Sequence, residues 1–560
     1  MTSGTANKER AETKASTTLI ACLGGLALLG FLAVIHGIFI TGHELVEARM
    51  GDPGGLSVAT WNVAAINNNP FEYWITHDDP EYNRLMGDVQ TFIDAPGDQD
   101  VRVDAVFTED MWLELKAAMT RVGWGGVDDV EAIWRGDYSS RKIISGFVQD
   151  GTLGKKRLAS MPDRVTNTIR AFDPSGNAVV VNRPTVINCY DGAPLDDGAK
   201  WWKAWRHFFF ETKVALAKGA EARAIYDLLN PIKRSKYPAL TEAEERVSLP
   251  LQTLAGAIFD AILVHMANTL HPHGWQALRA DMCDKLNRRK DARTVEILDG
   301  AYRSDDVIFL QETATAFRAS ASATALGSDY HILSPASADP SRDQNSLVLL
   351  KRARFPDASR VSDVSDAVAS TVTDAPTAPG DLAVFTAVDA FDRAFTFASF
   401  HGDTNGLATI PVTDALLAYV SASGLRDHVL VFGLDANTYK VERDGYQGVL
   451  PYQAHIVAAG LASHRGNTDA IDPEGYTTFN ARTYLQPQLN KAVAFADRYT
   501  NVNVDHNPKD FLLFYADQAT LVETGKDNTG NKRYIEDMMF PTLAFPSDHG
   551  ITAAKLKLAD

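Results

Sequence analysis

The chain has 560 residues, of which 45% are hydrophobic, and its formal net charge is -17. This length allows two to four domains with sizeable cores. The acidic balance argues against a protein that grips long stretches of DNA or RNA, since such proteins usually present a basic face, but it is compatible with a small phosphorylated substrate held through a metal ion. Three cysteines are too few for a cysteine-rich zinc site, although Cys189 and Cys283 could form a single bridge.

The N-terminus predicts a membrane anchor. Residues 1–17 are polar and are predicted to form a disordered cytosolic tail, whereas residues 18–41 are apolar over enough length to cross a bilayer as one transmembrane helix. Basic residues precede the apolar stretch and acidic residues follow it closely, so the positive-inside rule predicts that the body, residues 42–560, is lumenal or extracellular. A cleaved signal peptide, which would leave a secreted protein, is the alternative.

The first half of the body is predicted to be mostly helical. SVATWNVAAI (57–66) has the pattern of a buried strand, and AVVVNRPTVINCY (178–190) has that of another. Residues 199–229 and 241–270 predict long helices. The tryptophans and phenylalanines of residues 201–210 are interpreted as core, with a membrane-facing patch as the alternative.

From residue 306 onward the pattern changes to that of a strand-rich α/β body. Residues 363–380, rich in Asp, Ser, Thr, Ala and Pro, predict an exposed loop between two of the strands. Short apolar runs recur throughout this half. They are VIFLQ, NSLVLLK, DLAVFTAV, FTFASF, HVLVFGLD and DFLLFYA.

Polar residues stand at the ends of these predicted strands. Each alone has an ordinary explanation as a cap or a turn. Together they place amide, carboxylate and imidazole groups where α/β folds build their sites. They are Asn62 after Trp61, Glu312 after Gln311, His401, Asp435 with Asn437, Asp510 after Lys509, and Asp548 with His549.

The order of these motifs resembles that of the endonuclease/exonuclease/phosphatase superfamily, which includes DNase I-like nucleases, deadenylases, inositol polyphosphate 5-phosphatases and neutral sphingomyelinases. The resemblance covers residues 56–66 and 304–556. It implies a four-layer α/β sandwich of two packed mixed sheets. Residues 66–300 would then be a large, mostly helical insertion, for which the family offers no counterpart.

The resemblance also implies roles for the first four motifs. Glu312 corresponds to the glutamate that binds Mg²⁺ (or Mn²⁺), and Asn62 to the asparagine near the metal and the phosphate. His401 corresponds to the histidine that contacts the scissile phosphate or supports the leaving group. Asp435 and Asn437 correspond to the pair that positions the attacking water and a phosphate oxygen.

The last two motifs complete the implied site. Asp510 corresponds to an acid that orients a catalytic imidazole or assists the metal site. His549 would be a general base or a phosphate ligand, and Asp548 is expected to orient it and to serve as a metal ligand. These residue types suit the chemistry, since hard oxygen ligands hold Mg²⁺, and a histidine beside a carboxylate is kept basic.

A basic segment of the insertion, residues 141–170, is a candidate for substrate recognition. It carries seven basic residues against two acidic ones, in a chain that is acidic overall. Lys155, Lys156 and Arg157 are the candidate contacts to a phosphorylated substrate or an anionic headgroup. A solvated basic loop is the alternative.

The sequence thus predicts a membrane-anchored, Mg²⁺-dependent phosphoesterase that hydrolyses a phosphate mono- or diester. A lipid headgroup or small phosphoester is slightly favoured over long nucleic acid as the substrate. A nuclease of the same fold, or an inactive binding or scaffold protein on this fold, is the alternative.

Overall fold

The computed structural model of the chain describes residues 52–173, 175–340, 342–375, 377–466 and 474–559. The predicted tail and transmembrane helix, residues 1–41, lie outside this part. Within it, one helix has the length and composition to span a bilayer, Ser248–Leu270, and 89% of its apolar window is buried inside the protein. It therefore packs as a core helix, in agreement with the helix predicted over residues 241–270.

The strands of the described residues are named in chain order. They are β1 Gly55–Asn62, β2 Thr168–Phe172, β3 Ala178–Asn182, β4 Lys213–Val214, β5 Arg223–Ala224, β6 Val307–Thr313, β7 Tyr330–Leu333, β8 Asn345–Lys351, β9 Ser362–Asp363, β10 Leu382–Val388, β11 Ala394–His401, β12 Val429–Asp435, β13 Leu461–Ser463, β14 Asp510–Tyr515, β15 Ala519–Asp527 and β16 Ile551–Leu558. The strands predicted from residue 306 onward are all present.

The α-helices of the same residues fall mainly between β1 and β6. Those between the two strands are Pro80–Asp94, Glu109–Arg121, Val127–Gly136, Gly151–Lys156, Ser160–Thr166, Gly198–Phe210, Glu242–Arg246, Ser248–Leu270, Trp275–Cys283 and Lys290–Ala301. Those that follow β6 are Phe317–Ser322, Ala325–Asp329, Ser365–Ala369, Thr409–Ala422 and Val449–Ala458.

Two six-stranded sheets form the body of the protein. Their strand orders are β15-β16-β1-β6-β8-β7 and β13-β14-β12-β11-β10-β9. Both are mixed: β1 runs parallel to β6 but antiparallel to β16, and β12 runs parallel to β11 but antiparallel to β14. This is the mixed α/β architecture that the resemblance implies.

The sheets pack face to face because side chains alternate along each strand. Val58, Phe309 and Val431, for example, lie in one apolar cluster between the sheets. The neighbouring side chains point outward. On the second sheet they join a cluster with the helices Thr409–Ala422 and Val449–Ala458. On the first sheet they join a larger cluster that continues into the segment between β1 and β6.

The segment between β1 and β6 is therefore packed onto the sandwich through a shared core. Its aromatic residues Trp201, Trp202, Trp205 and Phe208 to Phe210 are buried, which confirms the core interpretation. Cys189 and Cys283 form a disulfide, with their Cα atoms 5.6 Å apart.

Four predicted boundaries were wrong. The first strand ends at Asn62 rather than residue 66, and the strand predicted over 178–190 ends at Asn182, before an Arg-Pro pair that cannot continue the ladder. The helix predicted over 199–229 ends at Phe210, after which the chain forms the short strands β4 and β5 around Gly219, whose φ is 78°. The loop predicted over 363–380 contains the helix Ser365–Ala369, because Val368 is fully buried against the second sheet.

Gly433 allows the two sheets to lie close to each other near the strand ends that carry the polar residues. A Cβ atom on Gly433 would lie 2.5 Å from the ring of Phe309 in the facing sheet. We expect Gly433→Ala to lower the free energy of unfolding by about 1–3 kcal/mol through overpacking. The change in melting temperature checks this. Gly525→Ala is the matched control, since a Cβ there meets no atom within 4 Å, and equal melting temperatures for the two variants would contradict the prediction.

Candidate active site

The strand ends that carry the predicted site residues meet at one edge of the sandwich. Asn62 at the end of β1 pairs with Gln311 of β6, and His401 at the end of β11 pairs with Asp435 of β12. Asp435 also pairs with Asp510, the first residue of the antiparallel strand β14. The register therefore gathers polar ends from both sheets, as expected for carboxyl ends of parallel strands.

The side-chain amide of Asn62 joins the two sheets at this edge. Its nitrogen donates to Glu312 Oε1 at 3.1 Å and to Asp435 Oδ2 at 2.9 Å. Glu312 lies on the first sheet and Asp435 on the second, so one buried amide holds a carboxylate from each. The second oxygen of Glu312 accepts from the backbone N–H of Ala65 at 2.7 Å.

The imidazole of His401 lies against the same two carboxylates. Its Nε2 is 3.0 Å from Glu312 Oε1 and 3.7 Å from Asp435 Oδ2. Burial lowers the pKa of His401, but Glu312 outweighs it and the pKa rises to about 9. Burial likewise raises the pKa of Glu312, and the interaction with His401 brings it below its usual range. The pair is therefore an ionised one in the absence of other ligands.

A second imidazole, that of His549, is paired with Asp510 rather than with Asp548. His549 Nδ1 donates to Asp510 Oδ2 at 3.0 Å, and its Nε2 faces Asp435 Oδ2 at 3.7 Å. Burial lowers the pKa of His549, while Asp510 and Asp435 raise it well above the usual range. The expectation that Asp548 orients His549 was wrong, because its carboxylate points instead toward Asn480, with 3.4 Å between Asp548 Oδ2 and Asn480 Nδ2.

Asn437 is held beside Asp435 by a local turn and by a lysine. Its backbone N–H donates to Asp435 Oδ1 at 2.8 Å, the usual geometry of an aspartate turn. Lys509 Nζ donates to Asn437 Oδ1 at 3.1 Å and to Asp505 Oδ2 at 2.7 Å. The lysine is buried, so its charge depends on Asp505 for compensation.

Three residues of the site adopt left-handed backbone conformations that side chains other than glycine rarely take. The φ angles are 58° at Ala64, 54° at Glu312 and 47° at Asn437. Glu312 also lies within an irregularity of the β6–β8 pairing. Strained backbone and bulges concentrate at functional sites, where they aim a side chain or a backbone N–H at a ligand.

Two groups of side chains could hold a metal ion. They are Glu312, His401 and Asp435, and Asp435, Asp510 and His549, with the ligand atoms of each group within 4.8 Å of one another. Buried carboxylates with an imidazole suit a divalent cation. Of the three predicted metal ligands, Glu312 belongs to a group, whereas Asn62 presents its amide nitrogen to the carboxylates and Asp548 lies outside both groups.

Six of the eight motif residues line a cavity of about 500 Å³, and the other two, Asn62 and Asp510, are bonded to residues that line it. Residues between 64 and 75 also contribute to the lining, as do Leu286, Lys290, Asn480, Arg482 and Lys491. Residues 141–170, the candidate segment for substrate recognition, contribute nothing to its lining. Lys155 and Arg157 line a neighbouring cavity instead, and Lys156 Nζ is paired with Glu244 at 2.6 Å.

Sequence reasoning missed several polar residues of the cavity. Lys509 and Asp505 lie within a few positions of Asp510 in the sequence, so their place beside a motif could have indicated that they belong to the site. Lys290, Arg482 and Asn480 had no such signal, because they come from segments without a recognised motif and reach the cavity only through the tertiary fold.

The comparisons with known sequences match one segment of the chain. A family model described as a domain of unknown function (DUF8234) matches residues 100–280, within the helical segment between β1 and β6. No curated protein sequence matches the chain.

Solved structures with a similar arrangement include D. rerio TDP2 complexed with a single-strand DNA product, at 13% identity and a TM-score of 0.30, over 48% of this chain and 91% of that one. The human Nocturnin catalytic domain has 12% identity and a TM-score of 0.32, over 49% and 89%. An endonuclease/exonuclease/phosphatase family protein from Bacteroides thetaiotaomicron has 13% identity and a TM-score of 0.31, over 51% and 94%. The last of these carries the name of the superfamily that the motifs resemble, and each match leaves about half of this chain unmatched.

The contact between Asp510 and His549 leads to a prediction about the pKa of His549. Because Asp510 raises the pKa of His549, Asp510→Asn should lower that pKa in the metal-free protein. NMR titration of protein labelled with ¹³C in its histidines would measure the shift. Asp414→Asn removes the carboxylate of a surface pair, 2.7 Å from His455, and should leave the His549 signal unchanged. A His549 titration that is the same in Asp510→Asn and wild type would contradict this assignment.

Proposed function

We propose that this protein is a metal-dependent phosphoesterase that hydrolyses a phosphate mono- or diester. One observation carries the proposal: a ring of Glu312, Asn62, Asp435 and His401 adjoins a buried His549–Asp510 pair in a single polar cavity. The motif resemblance supports the same reaction class. The alternative of an inactive scaffold is less favoured, because all eight motif residues line the cavity or bond to a residue that does.

The donor set fits a divalent cation such as Mg²⁺ or Mn²⁺. Glu312 and Asp435 would hold it, with Asn62 and Asp548 in reach of the same cavity as further candidate ligands. Such an ion, when bound, would offset the negative charge of the phosphate and lower the pKa of water. The 3.0 Å contact between Glu312 Oε1 and His401 Nε2 supports this choice, since it places the carboxylate beside a group that can carry positive charge.

The remaining residues supply the proton transfer and the phosphate contacts. His549, held through Nδ1 by Asp510, presents Nε2 toward the cavity and is placed to take a proton from an attacking water. The amide of Asn437, the imidazolium of His401 and the ammonium of Lys509 are donors for the phosphoryl oxygens as charge builds on them. Because these donors are buried and fixed, they need little rearrangement during the reaction.

The size of the cavity favours a small substrate. A volume of about 500 Å³ lies within the range of small-molecule sites, roughly 300–1,000 Å³. Residues from the segment between β1 and β6 line part of the cavity, which leaves less room there for a long nucleic acid. We therefore favour a small phosphoester or a lipid headgroup as the substrate, and a nuclease remains the alternative.

The activity assay uses the full-length protein with Mg²⁺ or Mn²⁺ and a panel that contains a phosphomonoester, a phosphodiester, a short single-stranded DNA and phospholipid vesicles. We expect turnover of at least one class and its loss with a chelator. His549→Ala and Glu312→Gln should each lower kcat/KM by about 100-fold or more, since each removes a proton-transfer or electrostatic contribution.

Two variants of similar chemistry serve as controls for the activity assay. His455→Ala breaks an exposed histidine–aspartate pair, and Glu131→Gln weakens a surface contact with Lys116. Both should retain the wild-type kcat/KM. Equal kcat/KM values for the wild type, His549→Ala and Glu312→Gln would contradict the proposal.

We also propose that residues 18–41 anchor the protein and that residues 42–560 form one catalytic body outside the cytosol, with residues 66–300 as an insertion. The Cys189–Cys283 disulfide supports this side of the membrane, since disulfides persist in oxidising compartments and are rare in the cytosol. The basic residues before the apolar stretch support the same orientation.

Protease protection in sealed membranes tests the topology. Protease added from the cytosolic side should leave the body intact, and peptide mapping without reduction should recover Cys189 linked to Cys283. Detergent should make the body cleavable. A body that is digested from the cytosolic side, or a fully reduced Cys189, would contradict the proposed orientation.

A further inference from the structure

Three cations gather next to the catalytic cavity without acidic partners. Arg157, Arg164 and Lys491 form no ion pair with any carboxylate of the described residues. Lys491 lines the catalytic cavity, and Arg157 lines a neighbouring cavity of about 630 Å³ together with Asn490, the residue before Lys491. Arg164 is exposed and lines neither cavity. The short 3₁₀ helix Leu489–Lys491 therefore contributes residues to both cavities.

Four acids around this basic cluster, which is defined as Arg157, Arg164 and Lys491, are paired with other cations. Asp150 accepts from Arg141 at 2.7 Å, and Asp163 lies 3.5 Å from Arg183. Glu244 pairs with Lys156 at 2.6 Å and Glu72 pairs with Arg482. Asp94, which also lines the second cavity, accepts from the hydroxyl of Tyr484 at 3.2 Å. The cluster therefore carries surplus positive charge in a chain whose net charge is -17.

Holding these groups together has an energetic cost. Burial, then Arg482, Arg157 and Arg164, lower the pKa of Lys491, and burial, then Arg164, lower that of Arg157. Arg157 ends the helix Gly151–Lys156 with a left-handed φ of 64°, the common conformation at a helix C-terminus. Its Nε is buried without a hydrogen-bond partner, and repulsion between cations together with a buried donor that lacks a partner is typical of a site that a ligand completes.

We propose that the basic cluster binds a second anionic group of the substrate while the scissile phosphate lies among Glu312, His401 and His549. Arg482 and Lys491, which line the catalytic cavity, would connect the two positions. Guanidinium groups suit phosphate because they donate two parallel hydrogen bonds. This inference rests on the proposed phosphoesterase function and narrows its substrates to molecules with two phosphate-like groups, either free or in a lipid headgroup.

The kinetic test compares matched substrates that differ only in the second phosphate. Alkanediol bisphosphates of four to ten carbons are set against alkyl monophosphates of the same length, with full-length protein and Mn²⁺. We expect the wild type to prefer the best bisphosphate in kcat/KM. Arg157→Gln/Arg164→Gln should reduce that preference about tenfold or more, since each charge-assisted contact is worth about a decade in affinity.

The matched control is Lys213→Gln/Lys233→Gln, which removes the same charge from two exposed lysines of the same segment that line neither cavity. It should retain the wild-type preference, and the melting temperatures of both double variants show whether each is folded. Turnover of monophosphates with no bisphosphate preference, or an equal loss in the cluster and control variants, would overturn the second site and leave the phosphoesterase proposal standing.

A binding measurement separates the two proposals if no substrate is hydrolysed. Calorimetry of the best-fitting bisphosphate with the metal-free protein should show a dissociation constant that rises about tenfold in the cluster variant and is unchanged in the control. That result without any turnover would support the anion site while the hydrolase proposal failed. Unchanged binding in the cluster variant would overturn the anion site.

Binding to vesicles shows whether the second phosphate belongs to a lipid headgroup or to a soluble phosphoester. Phosphatidylcholine vesicles that contain phosphatidylglycerol phosphate carry two phosphates in one headgroup. Binding that depends on the cluster with these vesicles, and exceeds binding to the free bisphosphate, would assign the site to a lipid headgroup. Cluster dependence with the free bisphosphate alone would assign it to a soluble phosphoester. Cluster dependence with neither would overturn the inference.

Discussion

The bonds from the Asn62 amide to Glu312 and Asp435 are the contacts on which the rest of the site depends. Two buried carboxylates from different sheets repel each other at low dielectric, and one of them would otherwise take up a proton. An amide with two N–H groups can donate to both, and the imidazolium of His401 supplies the balancing charge. Asn62 lies four residues after Val58, which packs between the sheets, so its side chain faces the same way and reaches Asp435 at the end of β12. The facing sheets are thereby joined at the same point where the chemistry would occur.

The two ends of the body are tied together at this point as well. β1 pairs with β16, the last strand, and Trp61 Nε1 donates to the carbonyl of His549 at 3.0 Å. Ser547 Oγ donates to the carbonyl of Asn62 at 2.6 Å, and the ring of Trp61 stacks on Phe545. The turn that carries His549 is therefore positioned by the first strand. The long segment between β1 and β6 packs on the outer face of the first sheet and contributes residues to the lining of the cavity, so it does not interrupt these contacts.

The strands, and the meeting of their ends at one site, could be predicted from the sequence because both are marked by short local patterns of residues. Apolar runs bounded by polar residues specified β6, β8, β10, β11, β12 and β14, and the motif order indicated which ends would meet. The partner of His549 did not follow, because Asp548 is adjacent in the chain but its side chain leaves the turn in a different direction. Asp510 reaches the imidazole from another sheet. The residues that line the cavity could not be predicted either, since Lys290 and Arg482 lie in segments whose local pattern indicates only helix or loop. The prediction that residues 141–170 recognise the substrate was based on their charge alone. The number of charges does not indicate that Arg141 and Lys156 are already engaged in ion pairs.

Net charge proved a poor guide to the local field, and the reason is geometric. The chain is acidic as a whole, yet its cations differ in whether a carboxylate lies beside them. Lys509 is compensated by Asp505 within hydrogen-bond distance, so it can hold Asn437 in place without a ligand. Arg157 and Lys491, which line adjoining cavities, form no ion pair among the residues that the structure describes. A cation paired within the fold stabilises the site, whereas an unpaired one raises the local potential for an incoming anion. The same chain can therefore repel polyanions at long range and still attract a compact phosphorylated molecule at short range, where the distance to each cation is a few ångströms and screening is weak.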